Sequence, residues 1–321
     1  MRIAAAQIAP VYLNRDATLA KVVEWIRRAA AAGAQLVAFG ETLVPGYPLW
    51  LARLDGARFD DAQLKHWHAR YLEQAVDLPP EGGEASGHLA PLARVAAEHG
   101  IAVIVGVAER AADRGGHSVY CSRVFIGGHG ADAGRILSVH RKLMPTYEER
   151  LVWAIGDGAG LRTHRVGPFT VGALNCWENW MPLARAALHA AGENLHVMLW
   201  PGSSRLTADI TRFAALEGRS YVLSAGALLR ESDLPADLPQ RARLCASGEL
   251  LYDGGSAITG PDGRWLVEPC SGREELLIAD VEWQRVLEER QNFDPAGHYA
   301  RPDVLALHVD RRRQSAARFE G

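Results

Sequence analysis

Cysteine is scarce in this 321-residue chain: Cys121, Cys176, Cys245 and Cys270 are the four, and no two form a CxxC pair. That excludes a disulfide framework and the paired spacing of zinc ribbons. Charge of neither sign is in excess, 35 basic against 38 acidic residues giving a formal −3. Nothing therefore recommends nucleic acid or an anionic membrane as a partner. No run approaches the roughly 20 apolar residues of a membrane span. The 12 histidines form no HxxxH pair backed by carboxylates, and His66 and His68, the closest approach, point apart on a helix. Neither GxGxxG nor a Walker pattern occurs to bind a nucleotide. No metal or cofactor is expected. The opening Met1-Arg-Ile-Ala-Ala-Ala-Gln alternates like a strand and lacks the basic, apolar and cleavage regions of an export signal, so a cytoplasmic location is expected.

What is present is a chain that is 48% hydrophobic, enough for a substantial core. Apolar strand-like runs alternate with helical spacing. Arg2 to Ile8 reads as a strand, and Leu19, Val22, Val23, Ile26 and Ala29 recur at helical intervals. Leu36 to Phe39, Ile101 to Val107, Phe169 to Leu174, Leu195 to Leu199 and Tyr221 to Ala225 read as strands, with helices over 86–98, 181–191 and 208–217. Val119 to Ile126 and Arg135 to His140 form a hairpin pattern, and Gly260-Pro261-Asp262-Gly263 is a turn signal. Glu81 to Glu84 reads as a turn, and Glu231 to Gln240 as a surface loop. Arg311-Arg312-Arg313 reads as a solvated tail. The mixture argues for α/β with sheets that are not purely parallel. Two similar halves, near 1–140 and 165–282, are compatible with two sheets packed face to face, but pattern alone does not choose this over a doubly wound sheet.

Three strand-like runs end on chemistry-bearing residues: Glu41 after Leu36 to Phe39, Lys142 after Ile136 to Arg141, and Cys176 after Val171 to Asn175. In α/β folds ligands gather beyond the carboxyl ends of strands. If the three ends converge, the site holds a carboxylate, an ammonium and a thiol. These divide the work of attack on an electrophilic carbon. The thiol is the nucleophile once deprotonated, Glu41 takes the proton, and Lys142 stabilises the charge that develops. Separately, each has a plain structural reading: Glu41 as a turn cap, Lys142 as a surface pair, Cys176 as a small core residue.

The motifs around these residues resemble the nitrilase, or carbon–nitrogen hydrolase, superfamily, and within it the branch that hydrolyses nitriles. They are Phe39-Gly40-Glu41-Thr42 followed by Pro45-Gly46-Tyr47-Pro48, His140-Arg141-Lys142-Leu143-Met144-Pro145-Thr146, and Asn175-Cys176-Trp177-Glu178-Asn179. Trp200-Pro201-Gly202 and the stretch Asn292 to Asp303 extend the resemblance over nearly the whole chain. The resemblance implies a Glu41–Lys142–Cys176 triad. It also implies a second glutamate, Glu149, that positions the lysine or the water; the adjacent Glu148 competes for that assignment. It implies a four-layer α-β-β-α sandwich, a single hydrolase domain over 1–290 and a tail over 291–321 that joins oligomer contacts. Dimers across outer helices, and larger spirals, are implied as well.

Tyr47, Trp50, Trp177 and Trp200 lie near the triad in sequence and suggest an apolar pocket for an aryl, arylalkyl or medium aliphatic nitrile. The expected reaction gives a carboxylic acid and ammonia. The alternatives are an amidase or carbamoyl hydrolase with the same triad, a nitrile-hydrating enzyme that stops at amide, and a non-catalytic assembly protein.

Overall fold

The computed structural model describes residues 1–79, 81, 83, 86–245 and 250–317. Its strands are β1 (Arg2–Gln7), β2 (Leu36–Phe39), β3 (Val76–Asp77), β4 (Ala102–Arg110), β5 (Val119–Ile126), β6 (Ile136–Arg141), β7 (His164–Val166), β8 (Phe169–Asn175), β9 (Leu195–Trp200), β10 (Tyr221–Gly226), β11 (Leu228–Arg230), β12 (Leu250–Thr259), β13 (Trp265–Ser271) and β14 (Glu275–Asp280). Its helices are α1 (Arg15–Ala31), α2 (Trp50–Arg53), α3 (Ala62–Glu73), α4 (Ala90–His99), α5 (Pro182–Ala190), α6 (Ser204–Gly218), α7 (Arg241–Leu244) and α8 (Trp283–Glu289).

The strands form two sheets. One runs β14-β1-β2-β4-β5-β6 with β3 beside β4; the other runs β11-β12-β10-β9-β8-β7 with β13 beside β12. Strand alternation buries both faces of each sheet. In β1, Ile3 and Ala5 point between the sheets and share one apolar layer with Leu36, Ala38, Val171, Leu195, Val197 and Leu223. The alternate residues Ala4 and Ala6 pack with Val37, Phe39, Val103 and Val105 against α1 and α4. On the far side, Met198, Trp200 and Val222 meet Ile210, Ala214 and Ala215 of α6. Leu174 meets Ala184, Ala187 and Leu188 of α5. Each fully buried Val or Leu contributes about 1.5–3 kcal/mol, and these layers hold the sheets face to face. The architecture is the four-layer α-β-β-α sandwich.

The two halves are not fully separate. The last strand, β14, leaves the second half and pairs antiparallel with β1, Arg2 opposite Asp280. The segment 231–240 is not a plain surface loop: Leu234 and Leu238, each just before a proline and four residues apart, are buried in the cluster that holds Trp67 and Tyr71. The arginine run is not simply solvated either. Arg313 bonds Asp157 Oδ1 at 2.9 Å, Glu81 Oε1 at 2.7 Å and the Val139 carbonyl at 2.8 Å, which pins the tail to the β6 edge. Of the expected turn over 81–84, Gly82 and Glu84 lie outside the described residues.

Candidate active site

Strands β2 and β4 are parallel, while β5 is antiparallel to both β4 and β6, so β2 and β6 end on the same side of their sheet. Glu41 follows β2 and Lys142 follows β6. Cys176 follows β8 of the facing sheet and begins a short 3-10 turn, Cys176–Trp180. The Glu41 N–H donates to the Trp200 carbonyl at 3.0 Å, which ties the end of β2 to the end of β9 across the sandwich. The structure thus brings Glu41, Lys142, Glu149 and Cys176 together, all buried.

Lys142 Nζ lies 2.9 Å from Glu41 Oε1 and 2.7 Å from Glu149 Oε2. One ammonium therefore serves two carboxylates. Glu149 also accepts the Tyr47 hydroxyl at 2.8 Å and the Thr146 N–H at 2.6 Å. Glu149 thus takes three donors. Glu41 is less well supplied. Its Oε1 takes Lys142 and the Cys121 thiol at 3.3 Å, while its Oε2 is buried without a partner. Burial pushes the Glu41 carboxyl up to about 7, against the pull of Lys142 and with the push of Glu149. Burial likewise raises the Cys176 thiol well above its ordinary value; Glu41 adds to this and Lys142 opposes it. Burial disfavours the Lys142 ammonium, but the negative charge that its acidic neighbours can carry, Cys176 and Glu41 foremost, outweighs it and holds the amine well above its ordinary range.

The resting cluster is thus an ammonium, a neutral thiol and a carboxylate poised to take a proton. One ligand atom each of Glu41, Glu149 and Cys176 lies within 4.8 Å of the others, a spacing a cation could bridge. Here Lys142 already bonds both carboxylates. Cys176 has φ of +47°, a left-handed conformation unusual for a side-chain-bearing residue.

Several supporting residues escaped sequence reasoning. Glu178 accepts the Asn175 N–H at 2.9 Å and the Leu143 N–H at 2.5 Å, and lies 3.0 Å from His140 Nε2. It binds the turn carrying Cys176 to the loop after Lys142. Burial pushes its carboxyl up, yet His140 and the two backbone donors bring it below its ordinary value. The signal was available: Asn175 and Glu178 stand at the spacing of a capping box. Cys121 sits beside Glu41, and nothing local in the sequence distinguishes it from a core cysteine.

Of the aromatic residues expected at the pocket, Tyr47 lines a cavity of about 10 Å³ with Glu41, Thr42, Pro201, Ala227 and Tyr252. Such a space holds about one water. Trp50 is not at this cavity; its ring stacks on Trp67, centroids 5.4 Å apart, and fills the core beside Tyr71. Trp177 is 44% exposed and stacks on Trp180. Trp200 is buried near Cys176, its indole N–H donating to Ser224 Oγ at 2.8 Å.

A carbon–nitrogen hydrolase family model matches residues 2–291. The chain is 34% identical over 337 residues to an aliphatic nitrilase of Rhodococcus rhodochrous, covering 99% of this chain and 82% of that protein. It is 36% identical over 321 residues to an aliphatic nitrilase of Sinorhizobium fredii, covering 98% and 97%. A solved carbon–nitrogen hydrolase from Helicobacter pylori superposes with a TM-score of 0.67 at 18% identity, covering 94% of this chain and 96% of that one, a likeness of fold. The chain belongs to the carbon–nitrogen hydrolase family, in its nitrilase branch, and is an enzyme that hydrolyses carbon–nitrogen bonds other than peptide bonds.

Proposed function

We propose that the enzyme converts an organic nitrile to its carboxylic acid and ammonia. The observation that carries this reading is the 34–36% identity, over nearly the whole chain, to proteins named aliphatic nitrilases. Glu41 takes the Cys176 proton as sulfur attacks the nitrile carbon, and hands it on to the nitrogen to give a thioimidate. Lys142 and the Trp177 N–H face the nitrogen where charge grows. A water, deprotonated by Glu41 and oriented with Glu149, adds to the thioimidate carbon. Glu41 passes the water's proton to the nitrogen, and the tetrahedral intermediate breaks its carbon–nitrogen bond, expelling ammonia and leaving a thioester. A second water cleaves the carbon–sulfur bond, releasing the acid and returning the thiol proton. The balance is one nitrile and two waters to one acid and one ammonia.

Tyr47, Trp177 and Trp200 are proposed to shape the substrate pocket, with Trp50 acting through the packing behind it. The proposed unit is one domain over 1–290. Two copies are proposed to join across α5 and α6, where Leu183, Leu206, Phe213 and Leu216 stand exposed, with Val304 and Leu305 of the tail as further contacts in larger assemblies.

The test is ammonia release with product identity on aliphatic and aromatic nitriles and the matching amides, with Cys176→Ala as control. Acid from nitriles, absent in the variant, is expected. Activity on amides alone would refute the nitrile reading.

A further inference from the structure

A buried polar chain runs from the outer end of β9 to the backbone of Cys176, and the reaction steps above do not use it. Asn179 Nδ2 donates to the Cys176 carbonyl at 2.8 Å and to the Leu174 carbonyl at 3.4 Å. Asn179 Oδ1 lies 2.8 Å from His196 Nε2, and His196 Nδ1 lies 2.7 Å from Glu193 Oε1. Asn179, His196 and Glu193 are all at least 97% buried. Glu193 reaches this place because β8 carries Gly172, where a Cβ would stand 2.0 Å from Glu193 Oε1.

Donor and acceptor counting fixes the chain's direction. Turning the Asn179 amide over would set its oxygen against two carbonyl oxygens, so Nδ2 must face Cys176. Oδ1 then faces His196, and His196 Nε2 must carry a proton. The contact at Nδ1 then needs a second proton, held on the imidazole or on Glu193. The surrounding titratable and charged groups are His189, 4.0 Å from Glu193 Oε2, Arg290 on the Glu193 carbonyl, and Arg185 on the Asn179 carbonyl with its partner Glu217.

The Cys176–Trp177 peptide is a rigid plane whose C=O and N–H point in opposite directions. Its oxygen is held by Asn179, and its N–H donates toward Cys176 sulfur. We propose that Glu193, His196 and Asn179 are positioning residues that lock this peptide plane and so aim the Trp177 N–H at the reacting sulfur and the charge growing beside it. This rests on Cys176 as the nucleophile but not on the nitrile as substrate.

The experiment measures the alkylation rate of Cys176 by iodoacetamide, mapped by peptide mass, alongside ammonia release from a nitrile. Glu193→Leu and Asn179→Asp are expected to slow alkylation tenfold or more in folded protein. Glu193→Gln is expected to stay within about threefold of the parent, because its amide can donate to Nδ1 and keep the chain's direction. Parent-like alkylation in Glu193→Leu and Asn179→Asp would overturn the proposal. Where these variants do not fold, nitrogen NMR of the [¹⁵N]histidine-labelled parent decides, the His196 ring being assigned by its shift in Glu193→Gln. A proton on Nε2 supports the chain, and a bare Nε2 overturns it. Absent ammonia release with this alkylation ranking intact would sink the nitrile reading and leave the positioning chain standing.

Discussion

The acid limb of the activity profile follows from Glu41. Its carboxyl is pushed from 4.5 up to about 7 by burial, and only the ionised form can take the Cys176 proton. With a midpoint near 7, about one carboxylate in ten is ionised at pH 6, and about one in a hundred at pH 5. An ordinary carboxyl would be almost fully ionised at pH 6. The predicted kcat/KM therefore falls about tenfold from the plateau to pH 6, and tenfold again to pH 5. The assay is ammonia release at low concentrations of an unionisable nitrile between pH 5 and 8, in buffers of constant ionic strength. A profile flat to pH 5 would refute the reasoning.

The same shift acts on stability. Between 4.5 and 7 the folded protein binds a proton here that the unfolded chain does not. This group's contribution therefore falls as pH rises through that window, by about 3 kcal/mol in all, a slope that urea unfolding of the parent and Glu41→Gln across this range would separate from other groups.

Single contacts carry three more expectations. Tyr47→Phe removes a donor to Glu149 Oε1, and is expected to lower stability by about 1–3 kcal/mol in denaturant titration and to lower kcat about tenfold. Gly156→Ala would set a Cβ 2.2 Å from the Arg141 carbonyl and 2.5 Å from that of Lys142, with a loss of about 1–3 kcal/mol and of Lys142 alignment, read as Tm and kcat together. Arg313→Ala removes the guanidinium's bonds to Asp157 and Glu81 while the Gln314 N–H keeps its bond to Asp157 Oδ2, and is expected to cost about 1–2 kcal/mol, lowering Tm by a few degrees while the acid limb stays in place.

The layered fold was partly legible in the sequence because burial of both sheet faces leaves long apolar runs, as in Ala102 to Ala108. Pattern alone could not choose the sandwich, since both candidate architectures bury both faces of a sheet. The return of β14 to β1 was hidden because a pairing such as Arg2 with Asp280, from the two ends of the domain, leaves no local trace. Glu41, Lys142 and Cys176 stood out by their shared position at strand ends. Trp50 misled because nearness in sequence to Tyr47 does not set direction: α2 turns its ring into the core. The Glu193–His196–Asn179 chain was invisible because its members look like isolated polar residues until β8 and β9 lie side by side.

The most direct test of the account is a rapid-quench experiment in which the enzyme is mixed with an aliphatic nitrile and the Cys176 peptide is weighed. A transient adduct on Cys176, with the mass of the thioimidate or the thioester, is expected to form before free acid appears and to be absent in Cys176→Ala. Acid and ammonia released at full rate with Cys176 never modified, or undiminished turnover in Cys176→Ala, would contradict it.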